Sequence, residues 1–336
     1  MTSRNGGQPL RVVFMGTPVF ALPVLEALLE CGYPVVGVYT RPDRGAGRGR
    51  RTAASPVKVL AQERGLSVFQ PASLKRDSAA RAQMTELRPD VIVVAAYGLI
   101  LPADTLELPT LGCLNVHPSL LPRHRGPSPV ASAILAGDQD TGVTLILLDE
   151  GLDTGPIVAQ RSTPLGERET AEVLTDRLFR MGADLLLATL PGWANGDVQS
   201  RPQDESRATA TRLLKRADGE IDWSRPVLDI SRQVRAMYPW PGTYTTWRGR
   251  TLKIIEAGPR ESTIAADNPP GLVVTEDGSA IGVVAGNGVL NVERLQMEGR
   301  RPVGADEFLR GYRDFPGSRL GASDIIGQAD AESGTA

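Results

Sequence analysis

Through the first part of the chain, short apolar runs alternate with stretches whose apolar residues recur every three or four positions. Arg11–Met15 is an apolar run closed by Gly16-Thr17-Pro18. It predicts a buried strand, a glycine turn, and a helix with Thr17 as cap and Pro18 at its first position. The helical period ends at Gly32, and a second strand is expected at Val35–Tyr39. Ser55-Pro56 opens a helix reaching Arg64, followed by a strand at Ser67–Phe69 and a helix over Asp77–Leu87. Val91–Ala95 is uninterrupted and rich in β-branched residues, as expected of a central parallel strand. A strand ending at Asn115–His117, a helix over Ser128–Ala136, strands at Gly142–Leu148 and Ile157–Ser162, and a long helix over Thr170–Leu190 complete the series. This alternation predicts an α/β, Rossmann-like, mostly parallel sheet with helices on both faces.

The pattern then changes. Residues 195–212 are polar, charged and rich in glycine and proline, as in a linker. A helix is expected over Val227–Met237. Beyond Tyr238-Pro-Trp-Pro-Gly242 the period is two, with strands at Thr243–Trp247, Thr251–Glu256, Gly271–Thr275, Ala280–Val284 and Val289–Leu295. Five short strands so closely spaced suggest a small OB-like β-barrel, followed by a helix at Ala305–Leu309. The expected organisation is a domain over 1–194, a linker over 195–212, an OB-like domain over 213–320 and a disordered tail over 321–336.

At 336 residues, two domains are more plausible than one. Hydrophobic content of 41% and charged content of 23% are those of an ordinary globular protein with a sizeable core. A formal net charge of −2 gives no general affinity for nucleic acid, so any such contact needs a local basic patch. One exists at Arg41-Pro-Asp-Arg44-Gly-Ala-Gly-Arg48-Gly-Arg50-Arg51, where glycine and proline argue against regular structure. It reads either as a solvated loop or as a mobile basic finger, whose guanidinium forks can grip phosphate oxygens. Cys31 and Cys113 form neither a disulfide framework nor a zinc motif, and both read as small core residues. The first ten residues carry no apolar signal core, and the longest apolar run, near Val91–Leu101, falls short of the roughly 20 residues that span a bilayer. A cytoplasmic location without membrane attachment is expected.

The candidate chemistry lies at Leu114-Asn115-Val116-His117-Pro118-Ser119-Leu120-Leu121-Pro122. Alternate strand residues share a face, so Cys113, Asn115 and His117 would project together. An amide donor beside an imidazole suits a carbonyl reaction with a tetrahedral intermediate: one holds the oxyanion and the other moves a proton. A lone Asn-x-His is more often a structural strand end. Asp149-Glu-Gly-Leu-Asp153-Thr-Gly155 follows another strand, and ligands in open α/β sheets bind beyond the carboxyl ends of the strands. Asp153 could reach His117 there, or merely cap its own turn. The Gly16 turn lacks G-x-G-x-x-G, which argues against a nicotinamide cofactor. Ser119 lies in no G-x-S-x-G elbow, which argues against an esterase.

The string Asn-x-His-x-Ser-Leu-Leu-Pro resembles the signature of the folate-dependent formyltransferases. Its continuation over Arg123–Pro129 is similar to that of the methionyl-tRNA formyltransferases in particular. Four further blocks extend the resemblance over most of the chain. These are Phe14-Met-Gly-Thr-Pro-x-Phe20; Arg41–Gly49 with Ser55-Pro-Val-Lys58; Thr141-Gly-Val-Thr144 with Gly151–Gly155; and Ile221-Asp-Trp223 with Tyr238–Pro241. Pro118 stands where many of these enzymes have glycine or alanine, and His124 where another aromatic residue is common. The resemblance implies transfer of a formyl group from 10-formyltetrahydrofolate to the α-amine of initiator methionyl-tRNA, without a metal. It implies Asn115, His117 and Asp153 as catalytic, and Ser119, Leu120, Leu121 and Pro122 as folate-binding. Arg44, Arg48, Arg50 and Arg51 would contact the tRNA, and the protein would act as a monomer. A formyltransferase for a smaller amine is the rival reading, favoured by Pro118 and opposed by the basic loop and second domain. A non-catalytic binding module would not need a proton carrier.

Overall fold

The computed structural model describes residues 9–46, 51–260, 268–276 and 280–321. The chain forms two compact units. One runs to Ala133 and adds Asp138–Gly166 and Glu172–Leu213; the other comprises Ile134–Gly137, Glu167–Ala171 and the chain from Leu214.

In chain order the first elements are β1 (Val12–Gly16), α1 (Leu22–Glu30), β2 (Val35–Tyr39), β3 (Arg44–Ala46), β4 (Arg51–Ala53), α2 (Pro56–Glu63), β5 (Val68–Phe69) and α3 (Ser78–Glu86). They are followed by β6 (Val91–Ala95), α4 (Ala103–Leu106), β7 (Cys113–His117), α5 (Pro129–Ala136), β8 (Asp140–Leu147), β9 (Ile157–Pro164) and α6 (Ala171–Asn195). Seven strands form one sheet in the order β5-β2-β1-β6-β7-β8-β9. The first four pairings are parallel, and β8 runs antiparallel to both β7 and β9. The mostly parallel α/β sheet expected from the sequence is therefore found.

Period-two alternation explains how two faces are filled at once. Val12, Phe14, Val91, Val93, Leu114 and Val116 belong to one buried cluster. Their neighbours Val13, Met15, Ile92, Val94 and Cys113 belong to another on the opposite face. Long helix α6 closes on the first face through Phe179, Ala183 and Leu186. At Gly182 a Cβ would lie 2.4 Å from Val116 Cγ1, so glycine lets the helix rest directly on β7 between its two polar residues.

Several local expectations are corrected. Thr17 caps no helix: its hydroxyl donates to Tyr97 O at 3.0 Å, and a 3₁₀ turn over Val19–Ala21 leads into α1. Cys31, at the end of α1, is exposed, because the helix turns its last residue away from the core. The basic loop contains regular structure, with β3 and β4 pairing antiparallel from Arg44↔Ala53 to Ala46↔Arg51. Arg48 and Arg50 lie outside the described residues. Helix α6 continues past Leu190 to Asn195. The polar stretch 195–212 is bound along the first unit: Arg201 exchanges backbone hydrogen bonds with Ile157, and Thr209 and Thr211 bond to Pro122 and Arg125. Its composition reads as a linker because its partners are backbone groups, which leave no hydrophobic signature.

The second unit contains α7 (Val227–Met237), β10 (Thr243–Trp247), β11 (Arg250–Arg260), β12 (Val273–Glu276), β13 (Ala280–Ala285), β14 (Gly288–Met297), β15 (Val303–Gly304) and α8 (Ala305–Gly311). The five expected strands form one antiparallel sheet in the order β10-β11-β14-β13-β12, with β15 added beside β14. No ladder joins β10 to β12 among the described residues. The core holds Trp223, Ile230, Trp247, Leu290 and Phe308, with Phe315 edge-on to Trp247 at 4.9 Å. The expected tail beyond Gly321 lies outside the described residues.

Candidate active site

Strand β7 presents Asn115 and His117 at its carboxyl end. Asn115 is half-buried, and among the described residues its side-chain amide takes no protein hydrogen bond. His117 is 4% exposed. Its Nε2 lies 3.2 Å from His124 O. A carbonyl only accepts, so Nε2 carries the proton and the free lone pair of the neutral ring sits on Nδ1. Asp153 Oδ2 lies 3.6 Å from that Nδ1, within ion-pair range and longer than a hydrogen bond. Thus the sheet brings together the two residues that stand far apart in the chain.

Asp153 is itself held. Its Oδ2 accepts from Gly126 N at 2.7 Å. Its backbone is left-handed, with φ 55, which is uncommon outside glycine but most accessible to Asp, Asn and His. His124 is also left-handed, with φ 62. The ring of His124 is anchored by Asp138 Oδ2 at 2.7 Å, and the backbone N–H of His124 donates to Thr209 Oγ1 at 2.8 Å. The carbonyl facing His117 is therefore fixed from both sides.

Burial pushes the His117 imidazole below its usual range. The Asp153 carboxylate and the His124 carbonyl oppose that, and the His124 ring adds to it. The ring is neutral at pH 7 and able to accept a proton. This has a consequence for stability. Between about pH 6.5 and the lower folded value, the unfolded chain binds a proton that the folded chain refuses. The contribution is intact above about pH 6.5 and is lost as pH falls through that window. Urea unfolding at pH 7 and pH 5.5 should show a smaller acid loss for His117→Asn than for the parent chain.

The other sequence candidates are placed as follows. Cys113 is buried, and its Sγ faces Thr105 O and Leu106 O at 3.7 and 3.8 Å. Burial pushes its thiol up to about 12, so it remains a protonated core group. Ser119 is fully buried, with its hydroxyl donating to Arg123 O at 2.8 Å. Leu121 is 3% exposed and packs on Ile146 and Ile157. Pro122 is buried within the same turn. Of the four folate candidates Ser119, Leu120, Leu121 and Pro122, Leu120 borders a cleft of about 300 Å³ that Arg123, His124, Asp138 and Thr141 also line. Arg44 and Arg51 sit on paired strands of the basic hairpin.

Sequence reasoning passed over Arg125, Asp138, Gln203 and Thr209. Each supports the turn without belonging to its polar strand face, and only Arg125, within the matched string, carried any signal.

Among the described residues, no group of three or more His, Cys, Asp or Glu side chains is arranged to hold a metal ion, and no helix is long and apolar enough to cross a membrane.

Comparison with known proteins bears on this arrangement. Residues 10–190 match the formyl transferase family, and residues 213–313 match the formyl transferase C-terminal domain. The methionyl-tRNA formyltransferase of Roseiflexus sp. (strain RS-1) is 52% identical over 318 residues, covering 93% of this chain and 96% of that protein. That of Chloroflexus aurantiacus (strain ATCC 29366 / DSM 635 / J-10-fl) is 49% identical over 305 residues, covering 90% and 97%. Among solved structures, an N-formyltransferase from Helicobacter canadensis in complex with folinic acid and dTDP-3-aminofucose superposes with a TM-score of 0.64. It is 18% identical and covers 86% of this chain and 99% of that one, which speaks to the shared fold. The two matched domains and the nearly full-length identity agree with the motif blocks, and the chain belongs to the methionyl-tRNA formyltransferase family of formyl transferases.

Proposed function

We propose that the protein transfers a formyl group from 10-formyltetrahydrofolate to the α-amine of initiator methionyl-tRNA, with Asn115, His117 and Asp153 as its catalytic groups. The observation that carries this reading is the neutral, buried His117 between a carbonyl and a carboxylate, on the same strand face as an amide that takes no partner among the described residues. Folate supplies the formyl carbon. The attacking amine titrates near pH 8, so a useful fraction is neutral at pH 7 without activation. Asn115 donates to the oxygen that gains charge as nitrogen adds to the formyl carbon. His117 accepts the proton leaving the attacking nitrogen at Nδ1, on the side of Asp153, and returns it towards the departing folate nitrogen. Asp153 stabilises the ring while it is charged. The turn Ser119–Pro122 frames the folate side, with Leu120 on the cleft. We place the enzyme in the cytoplasm as a monomer.

The direct test is to incubate the protein with 10-formyltetrahydrofolate and either methionyl-tRNA or glycinamide ribonucleotide. Formyl should appear on methionyl-tRNA alone. Formylation of glycinamide ribonucleotide instead would overturn the assignment.

The basic segment 41–51 is assigned to the tRNA backbone through Arg44, Arg48, Arg50 and Arg51. An A-form helix hides its base edges in a deep groove, so recognition favours ends and phosphates. Arg48→Ala should raise KM for tRNA, leave folate binding intact and flatten the log–log salt dependence by about 0.7–0.9 for the lost phosphate contact. An unchanged salt slope would remove Arg48 from the tRNA contact.

A further inference from the structure

Gln203 lies in the polar stretch beyond α6, yet it is 9% exposed and uses every hydrogen-bonding group of its amide. Its Nε2 donates to Asp153 O at 2.7 Å and to Gly155 O at 2.7 Å. Its Oε1 accepts from Arg125 Nε at 3.1 Å and from Arg125 Nη2 at 2.9 Å. A guanidinium only donates and a carbonyl only accepts, so these four contacts fix the amide in one orientation. One side chain thus ties the loop bearing Asp153 to the turn that follows His117.

The backbone makes this tie consequential. Asp153 is held at φ 55, a conformation that persists only where its surroundings enforce it. Within three residues of it, Gly155 is pressed so closely against Leu147 O that a Cβ would lie 1.9 Å away. Gln203 grips the carbonyls of both residues. On the other side, Arg125 exchanges backbone bonds with Thr209 and Thr211, and it pairs with Glu205 at 2.6 Å. The Gly126 N–H that holds the Asp153 carboxylate is the next residue along. Both ends of the His117–Asp153 pair are therefore referenced to the same segment.

We propose that Gln203 is a positioning residue for catalysis: it sets the Asp153 carboxylate against His117 by clamping the Asp153 and Gly155 carbonyls to Arg125. This rests on the role given to Asp153 under the proposed function. Without the clamp the loop keeps its residues but not its spacing. A misplacement of about 1 Å at a catalytic group can lower turnover about 10²-fold.

The test compares Gln203→Leu, Asp153→Asn and their double variant, using methionyl-tRNA and 10-formyltetrahydrofolate over a pH series. Gln203→Leu should lower kcat while leaving KM for tRNA within about twofold. Asp153 opposes the burial-driven fall in the His117 pKa, so loosening it should move the acid limb of the kcat profile to lower pH, and Asp153→Asn should do the same. In the Asp153→Asn background, Gln203→Leu should have little further effect, because the group it positions is already neutralised. Near-normal turnover of Asp153→Asn overturns the underlying role of Asp153. A large effect of Asp153→Asn with an unchanged kcat for folded Gln203→Leu overturns the clamp alone, as does a fully additive double variant. If Gln203→Leu does not fold, Gln203→Glu replaces it. That side chain keeps the shape and the acceptor for Arg125 but turns a carboxylate oxygen to the Asp153 and Gly155 carbonyls in place of the two donors, so it should show the same kcat loss; a wild-type kcat would overturn the clamp.

Discussion

His117→Ala is expected to lower turnover by about 10²–10⁴-fold, the range for losing a positioned proton carrier. The ring is neutral at pH 7, protonated at Nε2 towards the His124 carbonyl and open at Nδ1 towards Asp153. Alanine leaves the proton of the attacking amine to water, in a site where the imidazole was buried. The loss should fall on kcat, since the ring changes charge only as the reaction proceeds. Steady-state rates with both substrates, on protein shown to be folded by circular dichroism, decide it. Retention of a tenth or more of the turnover would remove His117 from the chemistry.

Asn115→Ala is expected to lower kcat by about 10²–10³-fold, the usual effect of deleting one oxyanion donor. Asn115 spends its amide on no described protein group, so its removal breaks no internal bond and should leave the unfolding midpoint nearly unchanged. Stability and rate should therefore separate cleanly here. Asn115→Asp would replace the donor with an acceptor and should be no better than alanine. Equal losses in stability and turnover would mark Asn115 as a structural strand end.

Both expectations depend on a frame that is only partly visible along the chain. The strands at Val91–Ala95 and Cys113–His117 were legible because apolar continuity and β-branching are local properties. The paired strands of the basic loop were not. Their pairing is held by backbone hydrogen bonds between Arg44–Ala46 and Arg51–Ala53, which side-chain pattern does not report. Thr17 has the chemistry of a cap, but Tyr97 O, far along the sequence, competes successfully for its hydroxyl. Gln203 and Thr209 lie in a stretch whose composition says linker, because their partners include backbone carbonyls and N–H groups of the loops around His117 and Asp153.

By itself the sequence determined the alternation of strands and helices, the order of the two units and the residue types available for formyl transfer. Periodicity and motif spacing are written within a few consecutive positions, and the chemistry of an amide or imidazole needs no fold to be named. Only the tertiary structure decided that Asp153 faces Nδ1 of His117, that His124 offers its carbonyl to Nε2, and that Gln203 joins the two loops. Those relations join residues far apart in the chain through hydrogen bonds a few ångströms long. Such distances exist only after sheet order, left-handed turns and the returning segment have been set together.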